Sequence, residues 1–180
     1  MDYKSSTDNE LGMAFVAKKD MYAFAELYSR HIGDLRKYLR AKGLGFGNEE
    51  DIAHDVFMKV WSNAELYDPE QNFRVWLWVS AKNALYNSVR NRRTRQEYQQ
   101  RYLQVERSFE PKKDSDNRMR QVNEAIKELK HEFQEILALK YASNLTVQEI
   151  SEVLGIPKGT VKSRLYYSLK EIKNHIDHVK

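Results

Sequence analysis

Three clusters of residues in this chain have the types and spacing to do chemistry. In the first, Glu50-Asp51-Ile52-Ala53-His54-Asp55, the carboxylates of Asp51 and Asp55 and the imidazole of His54 sit at helical spacing, as metal ligands or an acid–base pair would. No His-x-x-x-His or Glu-x-x-His set accompanies them, so a metal centre is the poorer use. Asp51, Asp55 and Lys59 instead form a charged ridge at four-residue steps, the same spacing as an apolar ridge of Ile52, Val56 and Val60 with Phe57 and Trp61 beside it. Such a ridge is either a solvated face or a face for docking on a protein.

The second cluster runs from Phe73 to Arg95 and interleaves aromatic and basic side chains. Positions 82–107 hold 7 basic residues and 2 acids, a local charge of about +5. Arg90, Arg92 and Arg93 can hold phosphates, and an unstacked base can lie on an aromatic face, so this segment suits single-stranded nucleic acid. Trp76, Leu77, Leu85 and Val89 are needed to fill a small helical core. That leaves some of Trp78, Asn83, Tyr86 and Asn87 for a ligand.

The third cluster is the stretch Thr146 to Leu165. Thr146 with Glu149 makes a capping box, Gly155 suits a left-handed helix end, and Pro157 suits the start of a second helix. The product is a helix-turn-helix. Val161, Leu165 and Leu169 share one face of its second helix, which turns Lys162, Ser163, Arg164, Tyr166 and Tyr167 elsewhere, where they can reach base edges or phosphates in a major groove. A plain helical hairpin with a solvated basic face is the competing interpretation.

The elements that must position these clusters are all helices. Apolar residues recur at three- and four-residue steps almost throughout, and the 7 glycines and 3 prolines mark few breaks. Helices are expected at about Asp8–Arg30 and His31–Lys42, with a stripe of Phe15, Phe24, Leu27, Tyr28, Leu35, Tyr38 and Leu39. The run Gly43-Leu44-Gly45-Phe46-Gly47 breaks the chain, and Asn48 caps a helix to about Ser62. A loop with Asp68-Pro69 fills 63–72, and a long helix starts at Phe73. Val122, Ile126, Leu129, Phe133, Ile136, Leu137 and Leu139 define further amphipathic helix, which ends at a Ser143-Asn144 break. The fold class is therefore all-α: two small helical domains, 8–95 and 121–178, joined by a flexible polar linker, 96–120, with Pro111 and Lys112-Lys113-Asp114-Ser115-Asp116 inside it.

Composition excludes several classes. There is no cysteine, hence no disulfide, thiolate zinc site or thiol catalysis, and no apolar run long enough for a membrane span or secretory signal, so a cytoplasmic protein is expected. Positions 1–70 hold 9 basic and 13 acidic residues, and positions 71–180 hold 21 and 13, or −4 against +8. Only the second stretch is suited to a polyanion. No phosphate loop, nucleophile–base motif or cofactor signature is present, so neither an enzyme nor a cofactor is expected.

Taken in order, Glu50–Trp61, Phe73-Arg74-Val75-Trp76-Leu77 and Thr160-Val161-Lys162-Ser163-Arg164-Leu165 resemble extracytoplasmic-function (ECF) sigma factors of the sigma-70 superfamily. The resemblance spans about 24–95 and 122–176. It implies a first domain that docks Asp51, Asp55 and Lys59 on the clamp helices of the largest subunit of core RNA polymerase, with a further contact to the polymerase flap. It also implies minus-10 promoter DNA at Phe73, Trp78, Asn83, Tyr86, Asn87, Arg90, Arg92 and Arg93, with an unstacked base captured by the loop at about 65–73. Minus-35 DNA falls to Lys158, Thr160, Lys162, Ser163, Arg164, Tyr166 and Tyr167, and an anti-sigma partner is implied. Ser80, where the family usually has an apolar residue, and Tyr167, where it often has arginine, depart from the pattern. Two other interpretations share the motifs: a dimeric helix-turn-helix regulator of palindromic sites, and a sigma mimic that sequesters an anti-sigma protein. The retained Lys162, Arg164 and Arg90–Arg95 cluster argues against the mimic.

Overall fold

Caps set the helix boundaries in this computed structural model, which describes residues 2–42, 49–99 and 117–178, with side chains left aside at 88–99, 117–119 and 178. The glycine break at 43–47, the Asn48 cap and most of the linker lie outside the described residues. Among the described residues there are eight α-helices and no strand.

The first helix, α1 (Asp8–Lys18), opens on a complete capping box: the Thr7 hydroxyl accepts from the Glu10 amide, and Glu10 reaches back to the Thr7 amide at 2.7 Å. It ends at Lys19, which is left-handed with φ 49°, and Asp20 at once caps α2 (Met21–Ala41) by accepting from the Tyr22 and Ala23 amides. The expected boundary between Arg30 and His31 is thus wrong. A Lys19-Asp20 corner with no glycine or proline divides these helices, and α2 runs unbroken through His31.

Helix α3 (Glu49–Ser62) and the long α4 (Phe73–Gln99) complete the first half, joined by a 3₁₀ turn at Ala64–Leu66. Leu11, Phe15, Leu27, Leu35, Val56, Phe57, Val60 and Leu77 fill the core between the four helices. Phe24 meets Trp61 edge-on with centroids 4.9 Å apart, so the partly buried aromatics seal one end. Gly12 allows α1 to cross the start of α4: a Cβ there would stand 2.7 Å from the Phe73 ring.

In the second half, the expected single helix is two, α5 (Asn117–Glu128) and α6 (His131–Leu137). Nothing in the Leu129-Lys130 step is a sequence breaker. The chain turns because Gln134 donates its side-chain amide to the Lys127 and Leu129 carbonyls, and the Lys130 carbonyl takes the first helical bonds of α6. Helix α6 continues as a π turn at Ala138–Ala142, and Asn144, with φ 53°, closes it. The capping box Thr146/Glu149 and left-handed Gly155, φ 65°, frame α7 (Val147–Leu154), and α8 (Lys158–His178) follows Pro157. This is the expected helix-turn-helix.

The two halves are packed on each other. Buried residues of the second half, including Ile136, Leu139, Leu145, Ile150 and Val153, join the first half's core in one continuous cluster.

Candidate nucleic-acid interface and docking face

On α3, the burial of Ala53, Val56, Phe57 and Val60 rotates Asp51, Asp55 and Lys59 outward, and all three are exposed. Among the described residues no group of three or more His, Asp or Glu side chains is arranged to hold a metal. The ridge presents its charges to solvent.

The loop between α3 and α4 is staked at its middle. Tyr67 is buried, its hydroxyl donates to the Gln71 carbonyl at 2.8 Å, and Asp68 accepts from the Glu70 amide. Leu66 is left 70 % exposed at the tip. Of the residues expected at minus-10 DNA, Asn83, Tyr86 and Asn87 are exposed on α4, and the side chains of Arg90, Arg92 and Arg93 lie outside the described residues.

Two expectations need correction. Phe73 and Trp78 are fully buried, so neither presents a face on which a base can stack. Phe73 is sealed beneath Gly12 and packs edge-on to Tyr67, while its amide donates to Asn9 of α1 at 2.9 Å. Trp78 meets Tyr38 of α2 edge-on with centroids 5.3 Å apart.

What the sequence did not reveal is that Arg74, Trp78, Lys82 and Tyr86 form one stripe at four-residue steps, and that this stripe faces the second half. Arg74 donates to the carbonyls of Ser143 and Asn144 at 2.9 and 3.2 Å and lies 3.6 Å from the Glu149 carboxylate. Lys82 donates to the Val153 carbonyl at 2.7 Å, where the last turn of α7 leaves carbonyls unpaired. The Tyr86 ring tilts over His131. Beside the stripe, Tyr38 donates its hydroxyl to Glu135 at 2.6 Å, and the other Glu135 oxygen lies against the Lys42 ammonium. Burial, with the Glu135 charge next to it, drives the Tyr38 hydroxyl well above the usual phenol range.

On α8, Val161 is buried and Leu165 partly so, but Leu169 is 46 % exposed. The expected face of Val161, Leu165 and Leu169 is corrected: Ser168 takes the third inner position, fully buried, its hydroxyl donating to the Arg164 and Leu165 carbonyls. Lys158, Lys162, Ser163, Tyr166 and Tyr167 are exposed together, Thr160 is partly covered, and the two tyrosine rings meet edge-on at 5.4 Å. Arg164 is held by Glu132 of α6 at 2.8 Å. Leu169 rims an apolar groove of about 330 Å³, lined by Val122, Ile126, Leu137, Tyr141 and Ile172.

Comparison with known proteins places these faces in context. Residues 27–95 match the family model for sigma-70 region 2, and residues 119–172 match that for sigma-70 region 4. The chain is 27 % identical over 163 residues to the ECF RNA polymerase sigma factor RpoE of Cereibacter sphaeroides, covering 88 % of each. It is 29 % identical over 180 residues to the ECF RNA polymerase sigma factor SigK of a Mycobacterium species, covering 94 % of this chain and 91 % of that one. Among solved structures, CnrH in complex with the cytosolic domain of CnrY aligns with a TM-score of 0.73 at 21 % identity, covering 96 % of this chain and 99 % of the other. The sigma factor RpoE in complex with the anti-sigma factor NepR, from Bartonella quintana, aligns with a TM-score of 0.64 at 20 % identity, covering 86 % and 96 %.

Proposed function

We infer from its exposed faces how this chain, which belongs to the sigma-70 family as an ECF sigma factor, divides the work of starting transcription. It binds core RNA polymerase and directs promoter-specific initiation. Region 2 docks on the clamp helices of the largest subunit through Asp51, Asp55 and Lys59. The observation that carries this assignment is that the carboxylates point into solvent while Ala53, Val56, Phe57 and Val60 of the same helix are locked into the core.

The minus-10 element meets the exposed part of α4, Asn83, Tyr86 and Asn87, with Arg90, Arg92 and Arg93 on phosphates and the loop at 65–73 receiving the unstacked base. Phe73 stays in the core as the loop's foundation. Region 4 reads the minus-35 element with Lys158, Thr160, Lys162, Ser163, Arg164, Tyr166 and Tyr167, five of which are exposed on one helix behind a tight turn, as a major groove requires. The apolar groove beside Leu169 suits a helix from the polymerase flap.

The protein performs no covalent chemistry: binding free energy from the captured base offsets the few kcal/mol of unstacking, and polymerase synthesises the RNA. It works in the cytoplasm, where polymerase is, and no described helix is long and apolar enough to cross a membrane. An anti-sigma protein is a further partner, as the solved complex of the sigma factor RpoE with the anti-sigma factor NepR suggests by likeness.

The test is co-elution with purified core polymerase, followed by run-off transcription from a genomic promoter library. Specific new start sites are expected from the wild type, and Asp51→Lys with Asp55→Lys should abolish co-elution without changing the circular dichroism spectrum. Undiminished polymerase binding by that variant would remove the docking assignment.

A further inference from the structure

The fold treats Arg164 differently from the other cations of its helix. Five lysine and arginine side chains lie on α8, and among the described residues only Arg164 is in an ion pair, while Lys158, Lys162, Lys170 and Lys173 are in none. Arg164 Nη2 lies 2.8 Å from an oxygen of Glu132, in the first turn of α6, and the two side chains are 29 and 45 % exposed. A pair this open to water adds little to stability, because solvent screens the attraction and two long side chains lose rotamers to make it. The helix dipole would favour an acid in the first turn of α6 without any partner. What the contact does fix is the direction of one guanidinium.

That direction matters because of where Arg164 stands. At 3.6 residues per turn, Val161 and Ser168 turn inward, and Arg164 falls between this buried strip and the exposed Tyr167. The guanidinium therefore sits on the border of the DNA face and is tied from the side of α6. Its other N–H groups have no partner among the described residues. A guanidinium anchored at Nη2 keeps those groups in a fixed plane, and a planar fork is what guanine O6 and N7 accept in a major groove. An untied arginine instead swings to any nearby phosphate, which strengthens binding to all sequences alike. The Glu132 carboxylate also repels phosphates brought close to it.

We propose that Glu132 is a specificity-determining residue of region 4: it positions Arg164 for one G·C pair of the upstream element and withholds it from phosphates. Overall affinity falls and discrimination rises. Glu132 touches no base itself and acts through Arg164. The proposal rests on the assignment of α8 to minus-35 DNA.

The test uses holoenzyme formed from core polymerase and the full chain, on a promoter recovered from the run-off library, with each base pair of its upstream element changed singly. Arg164→Ala should slow open-complex formation about tenfold and flatten the base preference at one position, a G·C pair. Glu132→Gln keeps the shape and removes the charge. It should flatten the preference at that same position, tighten binding to unrelated DNA about threefold, and steepen the dependence of log affinity on log salt by about one. The double variant should discriminate no worse than Arg164→Ala alone, as expected of a residue that acts only through its partner. The exchange Glu132→Arg with Arg164→Glu rebuilds an ion pair, so it should keep the wild-type melting temperature without restoring the preference for that pair. Restored preference in the exchange would make the contact purely structural and overturn the proposal. Wild-type preference in Glu132→Gln, at the position that Arg164→Ala flattens, would overturn it while leaving the minus-35 assignment intact. Wild-type preference at every position in Arg164→Ala would remove that assignment for Arg164, and the proposal with it.

Discussion

Asp8 ties the start of the chain to α2 through two partners. One oxygen lies 2.7 Å from His31 Nε2 and the other accepts from Arg30 at 3.0 Å, while Arg30 also binds the carbonyls of Tyr3, Lys4 and Ser6. The hydrogen bond with His31, against an opposing contribution from burial and with the Arg30 charge assisting, holds the Asp8 carboxyl below its usual range. A carboxyl depressed on folding stabilises the native state above its unfolded pKa of about 3.9, and that contribution is lost as pH falls through the lower folded value. Asp8→Asn should therefore cost about 1–2 kcal/mol at pH 7 in urea unfolding, with the deficit shrinking below about pH 4. A constant deficit from pH 7 to pH 3 would show that shape, not charge, is what Asp8 supplies. At this scale the sequence was informative where the chemistry is local: Asp51, Asp55, Lys162 and Tyr166 are exposed as their helix positions require. It failed for Phe73 and Trp78, because an aromatic between cations reads the same whether α1 and α2 cover it or not.

Caps account for which elements could be read in advance. The helix-turn-helix was legible because Thr146, Glu149, Gly155 and Pro157 each act within a few residues, and the structure has both halves of the capping box and the left-handed glycine. Thr146→Ala should lower stability by about 1 kcal/mol in thermal unfolding, since the Glu149 amide loses its acceptor. A variant as stable as the wild type would mean that tertiary packing alone fixes the start of α7. The missed boundaries, Lys19-Asp20 and Leu129-Lys130, had no such signature. A lysine at φ 49° is an uncommon helix terminator, and the second turn depends on Gln134 reaching back across it. Glu132 escaped notice for a related reason: its partner Arg164 is remote in sequence, and acids in a first helical turn ordinarily need no partner.

At the scale of the molecule, two domains with a polar linker were legible from composition, but their mutual packing was not. The polar residues that join the halves, Tyr38, Lys42, Glu135 and Lys82, look in sequence like ordinary members of amphipathic helices. The packing has a thermodynamic signature that the chain is well placed to report. Its 3 tryptophans, Trp61, Trp76 and Trp78, all lie in the first half, so their fluorescence follows region 2, whereas far-ultraviolet circular dichroism follows helices of both halves. With one apolar cluster running through both halves, loss of either should expose the other, and the two probes should give a single coincident urea transition for the free wild type. Glu135→Lys sets two ammonium groups together where the halves meet. Its fluorescence and dichroism transitions should separate, with a lower slope for each, because each unit then exposes only its own surface. Coincident transitions in both proteins would mean that the apolar contacts of Ile150 and Val153 against region 2 outweigh the charged cluster.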